Sequence, residues 1–363
     1  MDSLPRRLLL SALAVALFLA LLEGAASWTY AIAKTREQLA AGKRPEHRHA
    51  QYDATLGWVN TPGAFVRDAY GPGKHFTVNA QGFRARDDYT REVPAGRKRV
   101  LFAVDSFTMG FGVGDDDTYP AQIERLEPRI QSANLGMGAY GVDQAWLSLR
   151  SEPARIDKHL IVLAFIAHDF RRMELDFYMA PKPRLALKDG ALEIENAPVP
   201  ERSAKEDARF ALREFFTWLD LGKLFGRAAR ALAPERPDAA PSIDTDDAAF
   251  PPLARAMFAE LAAQSARDGV PVVLAFIPTR DELRRGEHVI RDWTQREAAK
   301  AWLASFDATS AFARAEDLEA LYLEDGHPSE VGNALLAAEM LPVLRDALAL
   351  APPELPPSPP AAD

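Results

Sequence analysis

A serine stands where an apolar run ends. Val100–Val104 is followed by Asp105-Ser106-Phe107-Thr108, and the chain continues through Gly110, Gly112 and Gly114 to Thr118-Tyr119-Pro120. Far downstream, Glu324-Asp325-Gly326-His327-Pro328 places a histidine one glycine behind two acids. A serine hydroxyl is a weak nucleophile until a base takes its proton and a third group orients that base. The chain has seven histidines. His47 and His49 lie in a charged stretch, His75 in a turn-rich one, His159 opens an apolar run and His288 sits in a charged loop. His168 and His327 remain, and the acid-Gly-His-Pro setting makes His327 the better base. A metal hydrolase would instead draw on His168, Asp169, Asp325 and His327, but their spacing does not resemble a helical metal-binding pair. Gly110-x-Gly112-x-Gly114 lacks the third glycine of a dinucleotide loop and the lysine of a P-loop, so no cofactor is expected.

The elements that must carry these residues alternate. Short runs at Val100–Val104, Ile130–Leu135, His159–Ile166 and Val270–Ile277, the first, third and fourth strongly apolar, read as strands of a buried sheet. Between them lie helical patterns at Thr118–Leu126, Val142–Arg150, Leu253–Arg267, Trp293–Leu303 and Ser329–Leu350. Thr118 and Pro120 mark one helix start, and Ser329 caps another. Such alternation predicts a parallel sheet with helices on both faces. In that arrangement the first three strands deliver Ser106, Gly138 and His168-Asp169 to one rim, where open α/β sheets bind ligands. Leu185-Ala186-Leu187 and Leu192-Glu193-Ile194 around Asp189-Gly190 read as a hairpin. Ala208–Leu232 reads as an amphipathic helix and Pro234–Pro252 as a flexible connection, together an insertion at about 180–252 bordering the rim.

Four blocks in order resemble those of the SGNH (GDSL-like) hydrolase family: Asp105-Ser106-Phe107-Thr108, Asn134-Leu135-Gly136 to Tyr140-Gly141, Ala167-His168-Asp169, and Asp325-Gly326-His327-Pro328. The resemblance spans Arg99 to Leu350. It implies a three-layer α/β/α sandwich with a central, mainly parallel sheet, and ester hydrolysis or acyl transfer through a seryl intermediate. Ser106 would be the nucleophile and His327 the base. The N–H of Ser106, one near Gly138-Ala139, and His168 would hold the oxyanion. The family's usual spacing selects Glu324 as the acid, whereas the shorter Asp-x-His form, found in relatives acting on exopolysaccharides, selects Asp325, the expectation taken here. Three positions depart from the family pattern. Val104 replaces the glycine before Asp-Ser, Ala139 falls on the second block's glycine, and His168 replaces the third block's asparagine.

The ends and the overall charge set the context. Forty-three basic residues face 52 acidic ones for a net charge of −9, which disfavours nucleic acid as a partner. With no cysteine, disulfides and thiolate metal sites are excluded. Leu8–Leu22, behind Arg6-Arg7 and ahead of Trp28 and Tyr30, approaches the roughly 17–20 apolar residues a membrane-spanning helix needs. Residues 1–32 are therefore expected to form a single-pass anchor in the cytoplasmic membrane, with a cleaved signal peptide as the alternative. Either places the catalytic part outside the cytoplasm, in the periplasm or beyond. Residues 33–98 are expected as a stalk and extension, 99–350 as the α/β domain, and the proline-rich 351–363 as an extended tail. The expected substrate is an ester-bearing small molecule or acylated polysaccharide. A catalytically weak, polysaccharide-binding relative of the same fold is the alternative from another functional class.

Overall fold

A computed structural model describes residues 11–21, 23–24, 49–151, 153–201 and 250–350. The chain divides into two units, one formed by Pro45–Glu201 with Ile243–Asp363, the other by Met1–Arg44 with Arg202–Ser242. In the first unit, five parallel strands make the central sheet: β1 (Lys98–Val104), β2 (Ile130–Asn134), β3 (Leu160–Phe165), β4 (Val272–Phe276) and β5 (Ala304–Asp307), in the order β5-β4-β3-β1-β2. Alternate residues of each strand face opposite layers. Leu101, Ala103, Leu163 and Leu274 pack against helices α3 (Val142–Ser148), α5 (Phe250–Asp268) and α6 (Val289–Lys300). Val100, Phe102, Val162 and Val273 pack against α2 (Tyr119–Leu126) and α7 (Glu330–Ala347). The expected three-layer α/β/α architecture is the one observed, with strands buried on both faces and hence continuously apolar.

Register fixes the rim. Val104 pairs with Ala164, Phe102 with Asn134 and Phe165 with Phe276, so the residues that follow each strand emerge side by side. Two short helices start there: α1 (Ser106–Met109) and α4 (Ala167–Arg172). The glycine-rich run after Ser106 has no helical pattern of its own. Instead the Asp105 carboxylate caps a single turn by accepting from Phe107 N–H at 2.9 Å, and Gly110 closes it in the left-handed region at φ 84°. Strand β5 was absent from the sequence reading because, within Ala304–Asp307, only Phe306 is buried. An edge strand covered so lightly has no apolar run to announce it.

The segment before β1 is more than an extension. From residue 49 onward it belongs to the same compact unit, with Leu56 and Phe83 buried in the main core. Its hairpin, Ala50–Asp53 with Gly57–Asn60, lies beside the rim. The hairpin expected around Asp189-Gly190 is present as Arg184–Lys188 paired with Ala191–Glu195. The helix expected at 208–232, residues 33–48 of the expected stalk and extension, and the tail at 351–363 lie outside the described residues. Most of the expected membrane anchor does too. Residues 11–21 are helical, and Leu13, Leu17, Phe18 and Leu21 are exposed. Among the described residues, no helix is long and apolar enough to cross a membrane.

Candidate active site

Ser106 occupies the first position of α1, where the helix leaves its N–H groups without intrahelical partners. The turn is held from several sides. Asn134, the last residue of β2, donates through Nδ2 to the carbonyl of Thr108 at 2.9 Å, and its Oδ1 accepts from Gly136 N–H at 2.9 Å. Gly136 lies so close to α1 that a Cβ there would fall 2.3 Å from the nitrogen of Met109. Nothing larger than glycine fits without moving the serine. Arg84, buried, donates to the carbonyls of Met109, Gly110 and Val113 at 2.6, 2.5 and 2.7 Å, fixing the loop that leaves α1.

Facing this turn is the loop between Leu321 and Ser329. Leu323 N–H donates to His327 carbonyl at 2.7 Å and Ser329 N–H to Leu321 carbonyl at 2.9 Å, which folds the loop back on itself. Tyr322 anchors it to the end of β4 through a 2.7 Å bond to the carbonyl of Pro278. The result is that His327 Nε2 lies 2.9 Å from Ser106 Oγ, across 221 positions of sequence. On the far side of the ring, Nδ1 is 3.2 Å from Asp325 Oδ1, but the carboxylate is displaced from the N–H axis and makes no well-aligned hydrogen bond. That same oxygen accepts from the His327 backbone N–H at 3.1 Å. Partial burial opposes the charge of Asp325, yet its contacts with His327 outweigh this and lower its pKa. Glu324 offers only its carbonyl, to Arg280 at 3.0 Å. The acid placed beside the histidine is thus Asp325. Aromatic rings supply the rest of the support for the imidazole: Phe111 at 4.5 Å between centroids and Phe107 at 5.3 Å.

Gly138 and Ala139 lie on the loop leaving β2. Trp58, from the N-terminal hairpin, donates through Nε1 to Gly138 carbonyl at 2.9 Å, and Tyr140 returns a hydroxyl to Trp58 carbonyl at 2.5 Å. The two positions where the sequence departs from the family's glycines are both strained in the way glycine would relieve. Val104 has φ 144° and Ala139 φ 66°. His168 is the second residue of α4 at the same rim. Crowding by protein, then the charges of Arg172, Arg171 and Arg285, lowers its pKa although the ring keeps access to solvent. A neutral imidazole of this kind offers one N–H donor.

Beneath the rim lies a buried charge cluster. The carboxyls of Asp105 and Asp169 are fully buried. Burial first raises the pKa of each, and the charge of Asp105 raises that of Asp169 further, while Arg172 works against both shifts. Asp169 is no metal ligand here: its Oδ2 accepts from Ile166 N–H at 3.0 Å and its Oδ1 from Arg172 at 2.6 Å. Among the described residues, no group of three or more histidine, aspartate or glutamate side chains is arranged to hold a metal ion. Sequence reasoning missed Arg84, Arg172 and Trp58. For Arg172 there was a faint signal, since four residues in a helix separate it from His168 and put both on one face.

No protein-family model matches the chain, and no curated protein matches it. Solved structures do align with it. A member of the lipolytic protein G-D-S-L family from Veillonella parvula is 13% identical, over 68% of this chain and 97% of its own, with a TM-score of 0.38. An α/β hydrolase from the metagenome of Lake Arreo, Spain, is 15% identical over 69% and 95%, with a TM-score of 0.40. An acetyl xylan esterase variant from Geobacillus stearothermophilus is 12% identical over 73% and 100%, with a TM-score of 0.39. Similarity at this level assigns the chain no activity.

Proposed function

We propose that this chain is an SGNH-type serine esterase that removes short acyl groups from carbohydrate or cell-envelope esters. The observation that carries the proposal is the 2.9 Å approach of His327 Nε2 to Ser106 Oγ at the rim of a parallel sheet. Ser106 attacks the ester carbonyl, His327 takes its proton and returns it to the leaving alcohol, and Asp325 stabilises the imidazolium that forms. The carbonyl oxygen, negative in the tetrahedral intermediate, is held by the N–H of Ser106, an N–H of the Gly138-Ala139 loop and the neutral ring of His168. Each such donor contributes roughly 3–4 kcal/mol to the transition state. Water then releases the acid; a sugar hydroxyl in its place would make the same site an acyltransferase. The apolar run at Leu8–Leu22 supports an exported, membrane-tethered domain.

The experiment is acyl release from a chromogenic acetyl ester, with and without an oligosaccharide acceptor, alongside fluorophosphonate labelling of wild type and Ser106→Ala. Serine-dependent labelling and release of free acetate are expected. Acetyl appearing on the acceptor would replace hydrolysis by transfer. An unlabelled wild type would reject the enzyme in favour of a polysaccharide-binding role. His168→Ala should lower turnover about 100-fold, while His168→Asn, which restores a planar N–H donor, should recover most of it.

A further inference from the structure

An oxyanion cradle assembled from three segments works only if the three stay in register. Ser106 follows β1, the Gly138-Ala139 loop follows β2, and His168 stands on α4 behind β3. Arg172 touches the support of each. Its Nη1 donates to the carbonyl of Tyr140, which closes the Gly138-Ala139 loop, at 2.9 Å. The same nitrogen pairs with Oδ1 of Asp169, the neighbour of His168, at 2.6 Å. It also lies 3.5 Å from Oδ2 of Asp105, the neighbour of Ser106.

The guanidinium is itself pinned. Its side chain is only 13% exposed, and it lies over the ring of Tyr178 at 4.9 Å. Gly141 makes room for it, since a Cβ there would come within 2.9 Å of Arg172 Cβ. The carbonyl of Arg172 accepts from the buried Lys182 ammonium at 3.0 Å, and that ammonium is paired in turn with Asp143. Asp169 cannot swing away, because its second oxygen caps Ile166 N–H.

We infer that Arg172 is the positioning residue that holds the three parts of the oxyanion cradle in register. It touches neither the serine hydroxyl nor the base; it acts through the neighbours of each donor. The inference rests on the reading of Ser106 as a nucleophile. The guanidinium plane, stacked over Tyr178, keeps Nη1 among a carbonyl and two carboxyls, whereas a lysine ammonium is a point charge on a flexible stem. The charge also belongs there electrostatically. Burial opposes it, but Asp169 and Asp105 together raise the pKa of Arg172, so the cation persists beside two carboxyls that water does not reach.

The test uses the full chain and the variants Arg172→Gln and Arg172→Lys. Active sites are titrated to the endpoint with a fluorophosphonate, and kcat per titrated site and KM are measured on p-nitrophenyl acetate, with melting temperature recorded. A merely structural arginine would reduce the number of titratable sites and leave kcat per site unchanged. The expected result is a fall in kcat per site of about 100-fold for Arg172→Gln and at least about tenfold for Arg172→Lys, with KM within about threefold. Should Arg172→Gln fail to fold, Arg172→Lys decides. Wild-type kcat per site in Arg172→Lys overturns the assignment. A wild-type protein that neither labels nor turns over fails at the nucleophile itself, and the inference falls with it.

Discussion

The two sides of the candidate site are held by different physics. On the serine side, Asp105, Asn134, Gly136 and Arg84 are buried or in close contact with α1, and the hydrogen bonds that Asp105, Asn134 and Arg84 make to α1 and the loop leaving it are buried. On the histidine side, a folded-back loop presents a ring whose acid is 49% exposed and displaced from the N–H axis, with Phe107 and Phe111 packed against the imidazole. The serine is placed by the packing of the sheet, so its position is as stable as the core. The histidine is placed by a loop and two aromatic contacts, so its position can be changed without unfolding anything. Altering the first should therefore cost stability and rate together; altering the second should cost rate alone.

The largest effect expected tests whether the two sides form one unit. Ser106→Ala and His327→Ala should each lower kcat by about 10⁴-fold or more, and the double variant scarcely further, as kinetics of all three will read. Additive losses would break the pairing. Next comes the packing of the serine side. Gly136→Ala drives a Cβ into Met109 N and should cost about 1–3 kcal/mol in urea unfolding, with activity falling in parallel. A fully stable Gly136→Ala would show that α1 is less tightly constrained than the 2.3 Å approach demands.

A smaller effect is expected in the loop. Asp325→Asn should reduce turnover about tenfold and shift the melting temperature only slightly, since its carboxylate is half-exposed, and Glu324→Gln should do little. A loss near the 10⁴-fold typical of a buried triad aspartate would mean that the acid closes onto the ring when substrate binds.

The two sides should also differ in the sign of their pH dependence. Asp325 has a lowered folded pKa. Its contribution is present above the unfolded carboxyl value of about 4 and is lost as pH falls through the lower folded value. Asp105 and Asp169 have raised folded values, so the fold binds more protons than the unfolded chain and their stability contribution declines as pH rises through that interval. Asp105→Asn, which preserves the cap, should thus compare more favourably with wild type at pH 8 than at pH 4; unfolding curves at both values decide it. The smallest effect belongs to Ala139→Gly, which relieves a left-handed φ and should stabilise by about 0.5–1 kcal/mol.

Much of this was legible in the sequence. The apolar runs of β1, β3 and β4 announced buried parallel strands, and strand ends in such a sheet share a rim. That geometry alone led to the expectation that Ser106, Gly138 and His168 share one rim. The resemblance of four short blocks supplied the rest of the expectation, including Asp325 over Glu324 and the two positions, 104 and 139, where glycine's freedom would be used. What the sequence could not disclose lies in contacts between elements far apart along the chain. The edge strand β5 has no periodic signal because one face is barely covered. The one-turn helix at Ser106 is capped locally by Asp105 and Gly110, but Gly136 presses on it from the loop after the neighbouring strand. Arg172 looks like any surface arginine in a basic pair until the register of three strands surrounds it with a carbonyl and two carboxyls. Residue types and their order determined the chemistry available to this protein. Only the tertiary structure decided which charges lose their water, and that loss separates a supporting arginine from a solvated one.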